Sequence, residues 1–155
     1  ASGATLLPDW HIVELDGVAT LLTHGDLLCT KDVQYLAFRQ HVRDPTTQAE
    51  FLALPLAQRR EVAANMRSGT QASMLEKDEF IMDVEQSTVE RVMQDHDVQR
   101  LIHGHTHRPA DHTFEFAGHT CERIVLGDWY GDECSVVLST GGRLNRLSAT
   151  EFIQY

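Results

Sequence analysis

Two expected strands in this chain end in the same way. Val18-Ala19-Thr20-Leu21-Leu22-Thr23 leads into His24-Gly25-Asp26, and Val98 to Ile102 leads into His103-Gly104-His105-Thr106-His107. The first run is continuous, as in a strand covered on both faces. In open α/β sheets, ligands gather where loops converge at strand ends. Histidines at two such ends therefore limit the chain to folds that bring the ends together.

The remaining pattern falls into three zones. From about 8 to 24, His11-Ile12-Val13-Glu14-Leu15 alternates, and Asp16-Gly17 is a strong two-residue turn signal, so a β-hairpin is expected. From about 31 to 97 the chain reads as helical. One helix spans Asp32 to Arg43 and is stopped by Pro45. A second covers Leu56 to Arg67, with Pro55 as its first residue. A third runs to about His96 from a capping box formed by Asp83 and Gln86. Ser68 to Asp78 is polar and weakly periodic, which predicts a loop. From about 98 to 155 the chain is strand-rich, with Phe114-Glu115-Phe116, Ile124-Val125-Leu126, Val136-Val137-Leu138 and Leu144 to Leu147 as strands. Gly118 and Gly141-Gly142 supply turns. The order is β, then a helical block, then β, as in an α/β core with a helical insertion.

The 155 residues fit one domain, and a net charge of −10 argues against sequence-independent nucleic-acid binding. The three cysteines, Cys29, Cys121 and Cys134, form no C-x-x-C pair, and a reduced, cytosolic compartment is the simplest reading. Cys29 reads as a buried structural thiol, and Trp10, Trp129 and Tyr130 as packing residues. Gly127-Asp128-Trp129 follows a strand and could approach the site, but is assigned no role in it. The chain opens on Ala1-Ser2-Gly3 rather than Met, as a piece of a longer protein would.

Imidazole suits borderline divalent metals near neutral pH because it is largely neutral there. Side chains at i and i+2 of an extended backbone point the same way, so His105 and His107 are expected to reach a metal pair together. Gly104 allows a sharp turn, and His24 is a natural third ligand. Most of the nine histidines, His11, His41, His96, His112 and His119 among them, carry no such pattern.

Gly104-His105-x-His107 and His24-Gly25-Asp26 resemble the last two sequence blocks of the calcineurin-like metallophosphoesterases. Four longer stretches narrow the resemblance to the UDP-2,3-diacylglucosamine hydrolases of lipid A biosynthesis. They are His24 to Thr30, Phe51 to Leu56, Ile81 to Val84 and Leu101 to Pro109. The resemblance implies an α/β fold: part of a metallophosphoesterase β-sandwich flanked by helices, with a helical cap inserted at about 31–80. Residues 1–155 would be the C-terminal portion of one such domain. It also implies a hydrolase that cleaves the diphosphate of UDP-2,3-diacylglucosamine with two divalent ions, Mn²⁺ foremost. His24 and His105 would bind one ion and His107 the other, with His105 also near the substrate phosphate as a catalytic group.

Asp32 and Lys77 match substrate contacts. Thr70 and Met74 stand where the family commonly has Ser and Asn. Thr70 keeps a hydroxyl, whereas Met74 has no amide with which to hydrogen-bond. The family's Asp-x-His, Gly-Asp and Gly-Asn-x-Asp blocks are not found upstream of His24, so the carboxylate side of the centre is expected from sequence outside this chain. The isolated chain is then expected to bind metal weakly and to turn over little substrate.

Between Arg39 and Arg67 the helical zone carries Arg39, Arg43, Arg59, Arg60 and Arg67 among Phe51, Leu52, Leu54, Leu56 and Met66. The pattern alone fits an amphipathic helix with a solvated basic face. With the resemblance, it also fits a face for acyl chains and for peripheral contact with the cytoplasmic side of an anionic inner membrane. Two other readings stay open: a different phosphoesterase of the superfamily, acting on nucleotides or phosphoproteins, and a non-catalytic metal-binding module.

Overall fold

The structure is a computed structural model that describes residues 3–76, 83–130 and 134–154. The chain divides into two compact units, Ala1–Leu28 with Val84–Tyr155, and Cys29–Asp83.

The first unit is built on a five-stranded mixed sheet. Strands β1 (His11–Leu15) and β2 (Val18–Thr23) form the expected hairpin about Asp16-Gly17, and both turn residues have positive φ. Strand β3 (Arg100–His103) pairs parallel to β2, with Leu21 opposite Leu101 and Thr23 opposite His103. Strands β4 (Ala110–Phe116) and β5 (His119–Val125) form a second hairpin, and β5 lies parallel to β3. The resulting order is β1-β2-β3-β5-β4. Strands β2, β3 and β5 therefore run the same way and end at the same edge of the sheet.

Helix α4 (Gln86–Asp95) belongs to this unit and buries Val89, Val92 and Met93. Its valines and methionine share one cluster with Leu21, Leu28, Val98, Leu101 and Cys121, flanked by half-buried Trp10, Phe114 and Phe116. Each large side chain removed from water here contributes about 1.5–3 kcal/mol, so this layer anchors the central strands. By alternation along β3 and β5, His103 and Arg123 lie on the same sheet face as Leu101 and Cys121. The capping box expected at Asp83 and Gln86 does not form. Glu85 is the N-cap, and its side chain makes no capping bond.

A separate two-stranded ladder, β6 (Ser135–Thr140) with β7 (Arg143–Ser148), turns at Gly141-Gly142. Arg146 ties it to the main sheet by donating to the carbonyls of Val125 (2.8 Å) and Ala110 (3.3 Å). A short helix, α5 (Ala149–Ile153), follows and was not foreseen. Ser148 and Glu151 make its capping box.

The second unit is helical. In α1 (Val33–Arg43), Asp32 is the N-cap and accepts from the Tyr35 N–H. Pro45 does stop α1, but it also opens an unexpected helix, α2 (Pro45–Ala53), capped by Asp44. Pro55 stands just before α3 (Leu56–Glu76), its carbonyl accepting from Arg59 N–H, rather than inside the helix. The loop expected over residues 68–78 is instead a continuation of α3 as far as Glu76, and Lys77 and Asp78 lie outside the described residues. The Ser68 hydroxyl donates to the Ala64 carbonyl four residues back, so the polar side chain is accommodated by the helix's own backbone. No residue of α1 or α2 is buried. Among the described residues, no helix is long and apolar enough to cross a membrane.

Candidate metal centre

The common edge where β2, β3 and β5 end carries the histidines. Hydrogen bonding runs one residue past each ladder: Gly104 N–H donates to the His24 carbonyl (3.0 Å), and Leu126 N–H to the His103 carbonyl (2.7 Å). The three strand exits are thus locked together by backbone before any side chain contributes. Gly25 leaves β2 at φ +106°, a conformation rare for residues with a Cβ. A Cβ there would sit 2.8 Å from His103 Nδ1 and 2.9 Å from the Gly104 carbonyl oxygen, so only glycine lets the two loops touch.

His105 and His107 are not in extended backbone, contrary to the expectation from their spacing. Both lie at positive φ, +69° and +54°. Thr106 N–H donates to the Gly104 carbonyl (2.9 Å), so His105 sits at the centre of a γ-turn of the rare, strained positive-φ kind. The two rings consequently meet different partners. His105 Nδ1 lies 3.2 Å from His24 Nε2, with the rings edge-to-face at 5.0 Å between centroids. His107 Nδ1 lies 3.1 Å from Asp128 Oδ2, with both side chains about half exposed (55% and 43%).

Two nitrogens each about 2.1 Å from one ion, at angles of about 90–110°, stand roughly 3.0–3.4 Å apart. The His24–His105 separation matches two donors on a shared ion. Among the described residues, no group of three or more His, Cys, Asp or Glu side chains converges on one point. The donors present fit part of a coordination shell.

His103, beneath this surface, is fully buried. Its Nε2 lies 3.1 Å from Arg123 Nη1 and its Nδ1 2.9 Å from the Gly104 carbonyl. A guanidinium can only donate, so Nε2 is the acceptor, and Nδ1–H donates to the carbonyl. Asp26, also buried, accepts from Leu27 N–H at the start of a 3₁₀ turn, Asp26–Leu28.

The chain is 53% identical over 129 residues to UDP-2,3-diacylglucosamine hydrolase from Cellvibrio japonicus (strain Ueda107), covering 83% of this chain and 54% of the relative. It is 50% identical over 136 residues to the hydrolase of the same name from Xanthomonas axonopodis pv. citri (strain 306), with 83% and 55% covered. The Enterobacter sp. (strain 638) hydrolase is 48% identical over 141 residues, with 91% and 59% covered. The chain is similar to part of the UDP-2,3-diacylglucosamine hydrolases. It spans about half the length of the curated relatives it matches. No family model matches the chain.

Of the positions matched to these hydrolases by sequence, the structure brings His24 and His105 together and turns His107 toward Asp128. Asp32 is in the helical unit, buried, with one carboxylate oxygen capping α1. Thr70 and Met74 fall within α3, and Lys77 lies outside the described residues. Trp129 and Tyr130, read as packing residues, are instead exposed, and the Trp129 indole donates to the Ser135 carbonyl. Cys29 is buried, as expected.

Asp128 was assigned no role from the sequence. Its signal was present: Ile124-Val125-Leu126 followed by Gly127-Asp128 repeats the strand–glycine–acid sequence of the β2 exit. That signal acquires meaning only once β5 is known to run parallel to β3.

Proposed function

We propose that this chain supplies the imidazole side of a two-metal phosphoesterase centre. The reaction is hydrolysis of the diphosphate of UDP-2,3-diacylglucosamine, giving UMP and 2,3-diacylglucosamine 1-phosphate in lipid A synthesis. The observation that carries this reading is the His24–His105 pair at adjoining parallel strand ends, in a chain 53% identical to a hydrolase of that name. The finer architecture belongs to the same proposal: a metallophosphoesterase β-sandwich with a helical cap at about 31–80.

His24 and His105 would hold one divalent ion and His107 the other, with Mn²⁺ the leading candidate. Bound ions of this kind lower the pKa of water and stabilise charge on the attacked phosphoryl group. The chain's own residues orient and recognise. The γ-turn would present His105 so that an imidazole N–H donates to a phosphoryl oxygen. Asp128 accepts from His107 Nδ1–H and leaves Nε2 as the free donor atom, the usual role of a carboxylate behind a ligand histidine. Asp32, Thr70, Met74 and Lys77 would meet the glucosamine end of the substrate.

Exposed Val33, Phe38, Leu52, Leu56 and Met66 on the helical unit support acyl-chain handling and peripheral contact with the cytoplasmic face of the inner membrane.

A second reading, a metal-binding module without turnover, is favoured by one observation: no three donors converge among the described residues. The deciding experiment measures UMP release from the lipid substrate with Mn²⁺. It compares the chain alone with the chain joined to the part of the Cellvibrio japonicus relative that it does not cover. The hydrolase reading expects activity in the chimera that disappears in His105→Ala, and little in the chain alone. A folded chimera that releases no UMP would leave the module reading standing.

A further inference from the structure

We infer that His103 is a positioning residue, a neutral imidazole locked by Arg123 in its Nδ1–H tautomer so that it braces the strained turn presenting His105.

Four observations converge on this assignment. His103 is 0% exposed and Arg123 8%, so neither side chain has water to satisfy it. Arg123 comes from β5 and His103 from β3, on the same sheet face, and the guanidinium reaches Nε2 at 3.1 Å. Nε2 must therefore carry a lone pair, and the single ring proton is placed on Nδ1. In water the Nε2–H form of neutral histidine is favoured, so the fold selects the minor tautomer. That proton is spent on the Gly104 carbonyl at 2.9 Å, the same oxygen that accepts Thr106 N–H at 2.9 Å to close the γ-turn about His105. The ring also forms the floor on which Gly25 rests, next to His24.

One buried ring thus touches both histidine-bearing loops. A carbonyl held by two donors cannot rotate freely, and its rotation is the motion that would let His105 relax to negative φ. Left-handed backbone at a non-glycine residue persists only where the surroundings over-determine it. The His103–Gly104 bond is such a constraint. It acts through the backbone, so His103 need not touch an ion or substrate to affect them.

The significance for catalysis rests on the function proposed above, but the test does not. Long-range ¹H–¹⁵N correlation of the histidine rings in the unmodified chain should show His103 as Nδ1–H with a bare Nε2. An Nε2–H ring, or a doubly protonated one, would overturn the assignment without any variant.

Two substitutions then separate bracing from mere filling of space. His103→Asn keeps an amide N–H near the position of Nδ1, whereas His103→Gln moves the amide out to the position of Nε2. Thr106 amide exchange should accelerate at least about tenfold in His103→Gln and stay near the parent rate in His103→Asn, with the amides of β2 and β3 unchanged in both. Equal Thr106 exchange in the two folded variants would refute the brace. If both variants unfold, the ring spectrum of the parent chain decides. A chain that passes these measurements yet releases no UMP in the chimera would sink the proposed function and leave the brace intact.

Discussion

Gly25→Ala is the substitution whose consequence the structure defines most closely. Two costs add. The first is conformational: at φ +106° an alanine occupies a sparsely populated region, which costs about 1–3 kcal/mol. The second is steric: the new methyl would lie 2.8 Å from a buried ring nitrogen and 2.9 Å from a backbone carbonyl oxygen. Neither neighbour is the far end of a flexible side chain. His103 is fixed by Arg123, and the Gly104 carbonyl is fixed by two donors. Overpacking of this kind costs about 1–3 kcal/mol, so the sum is roughly 2–6 kcal/mol.

With a urea m-value of about 2 kcal/mol/M, the middle of the usual range, the unfolding midpoint should fall by about 1–3 M. Trp10, half-buried against the core of the same unit, is the fluorescence probe. Gly118→Ala is the control. It has a comparable positive φ of +80°, and nothing lies within 4 Å of its added Cβ, so only the conformational cost applies. If the two variants unfold at the same urea concentration, the contact between the His24 and His103 loops is not as tight as described, and the reasoning fails.

Asp128→Asn should lower Mn²⁺ affinity in the chimera about tenfold through the loss of the charge behind His107. Thermal stability should barely change, because a pair this exposed contributes little to folding; unchanged titration isotherms would dissociate Asp128 from the site. His105→Gly in the chimera should abolish metal-dependent UMP release while leaving stability equal or raised by up to about 1 kcal/mol, since glycine accepts φ +69° without strain. A destabilised variant in a urea titration would contradict the strain assigned to the γ-turn. Burial, followed by Glu115 and Glu90, pushes the Cys121 thiol above its ordinary value of 9.0. The folded chain therefore keeps a proton that the unfolded chain loses as pH rises past 9. Stability should fall over that range, and Cys121→Ala should flatten the decline in urea midpoints measured from pH 8 to 10.

What was legible in the residues was mostly local. Asp16-Gly17 specifies its hairpin through turn chemistry that needs no distant partner. The α4 face, with Val89, Val92 and Met93, follows helical periodicity. The helical unit was read less well because its signals compete. Pro45 both ends one helix and begins the next, and Ser68 offers its hydroxyl to a turn or to the helix backbone with equal ease. At the site, His24 and His105 could be paired from sequence because each stands beside a glycine at the end of an expected strand. The conformation that pairs them could not. Extended backbone is the default after a strand, and what overrides it here are bonds across β2, β3 and β5: Gly104 to His24, Leu126 to His103, and Arg123 to His103. Asp128 was assigned no role for the same reason, since its contact with His107 depends on the parallel register of β3 and β5.

The placement of strain gives a further reason to regard this edge as a working site. His105 and His107 both hold left-handed backbone, at about 1–3 kcal/mol each. Together that is roughly 2–6 kcal/mol, a large part of the 5–15 kcal/mol by which a domain is typically stable. A chain selected only for folding would favour glycine at both positions, as it has at Gly25. Imidazoles persist where glycine would be easier, on loops whose backbone is held by ladder extensions and a buried ring. The strained turn aims the His105 ring at His24, and the His107 ring is oriented by an acid just past the end of a third strand. Such preorganisation makes sense if the rings bind something whose interaction exceeds the strain. A divalent ion shared between His24 and His105 meets that requirement, because each metal–imidazole bond formed in the folded state also stabilises the conformation that presents it.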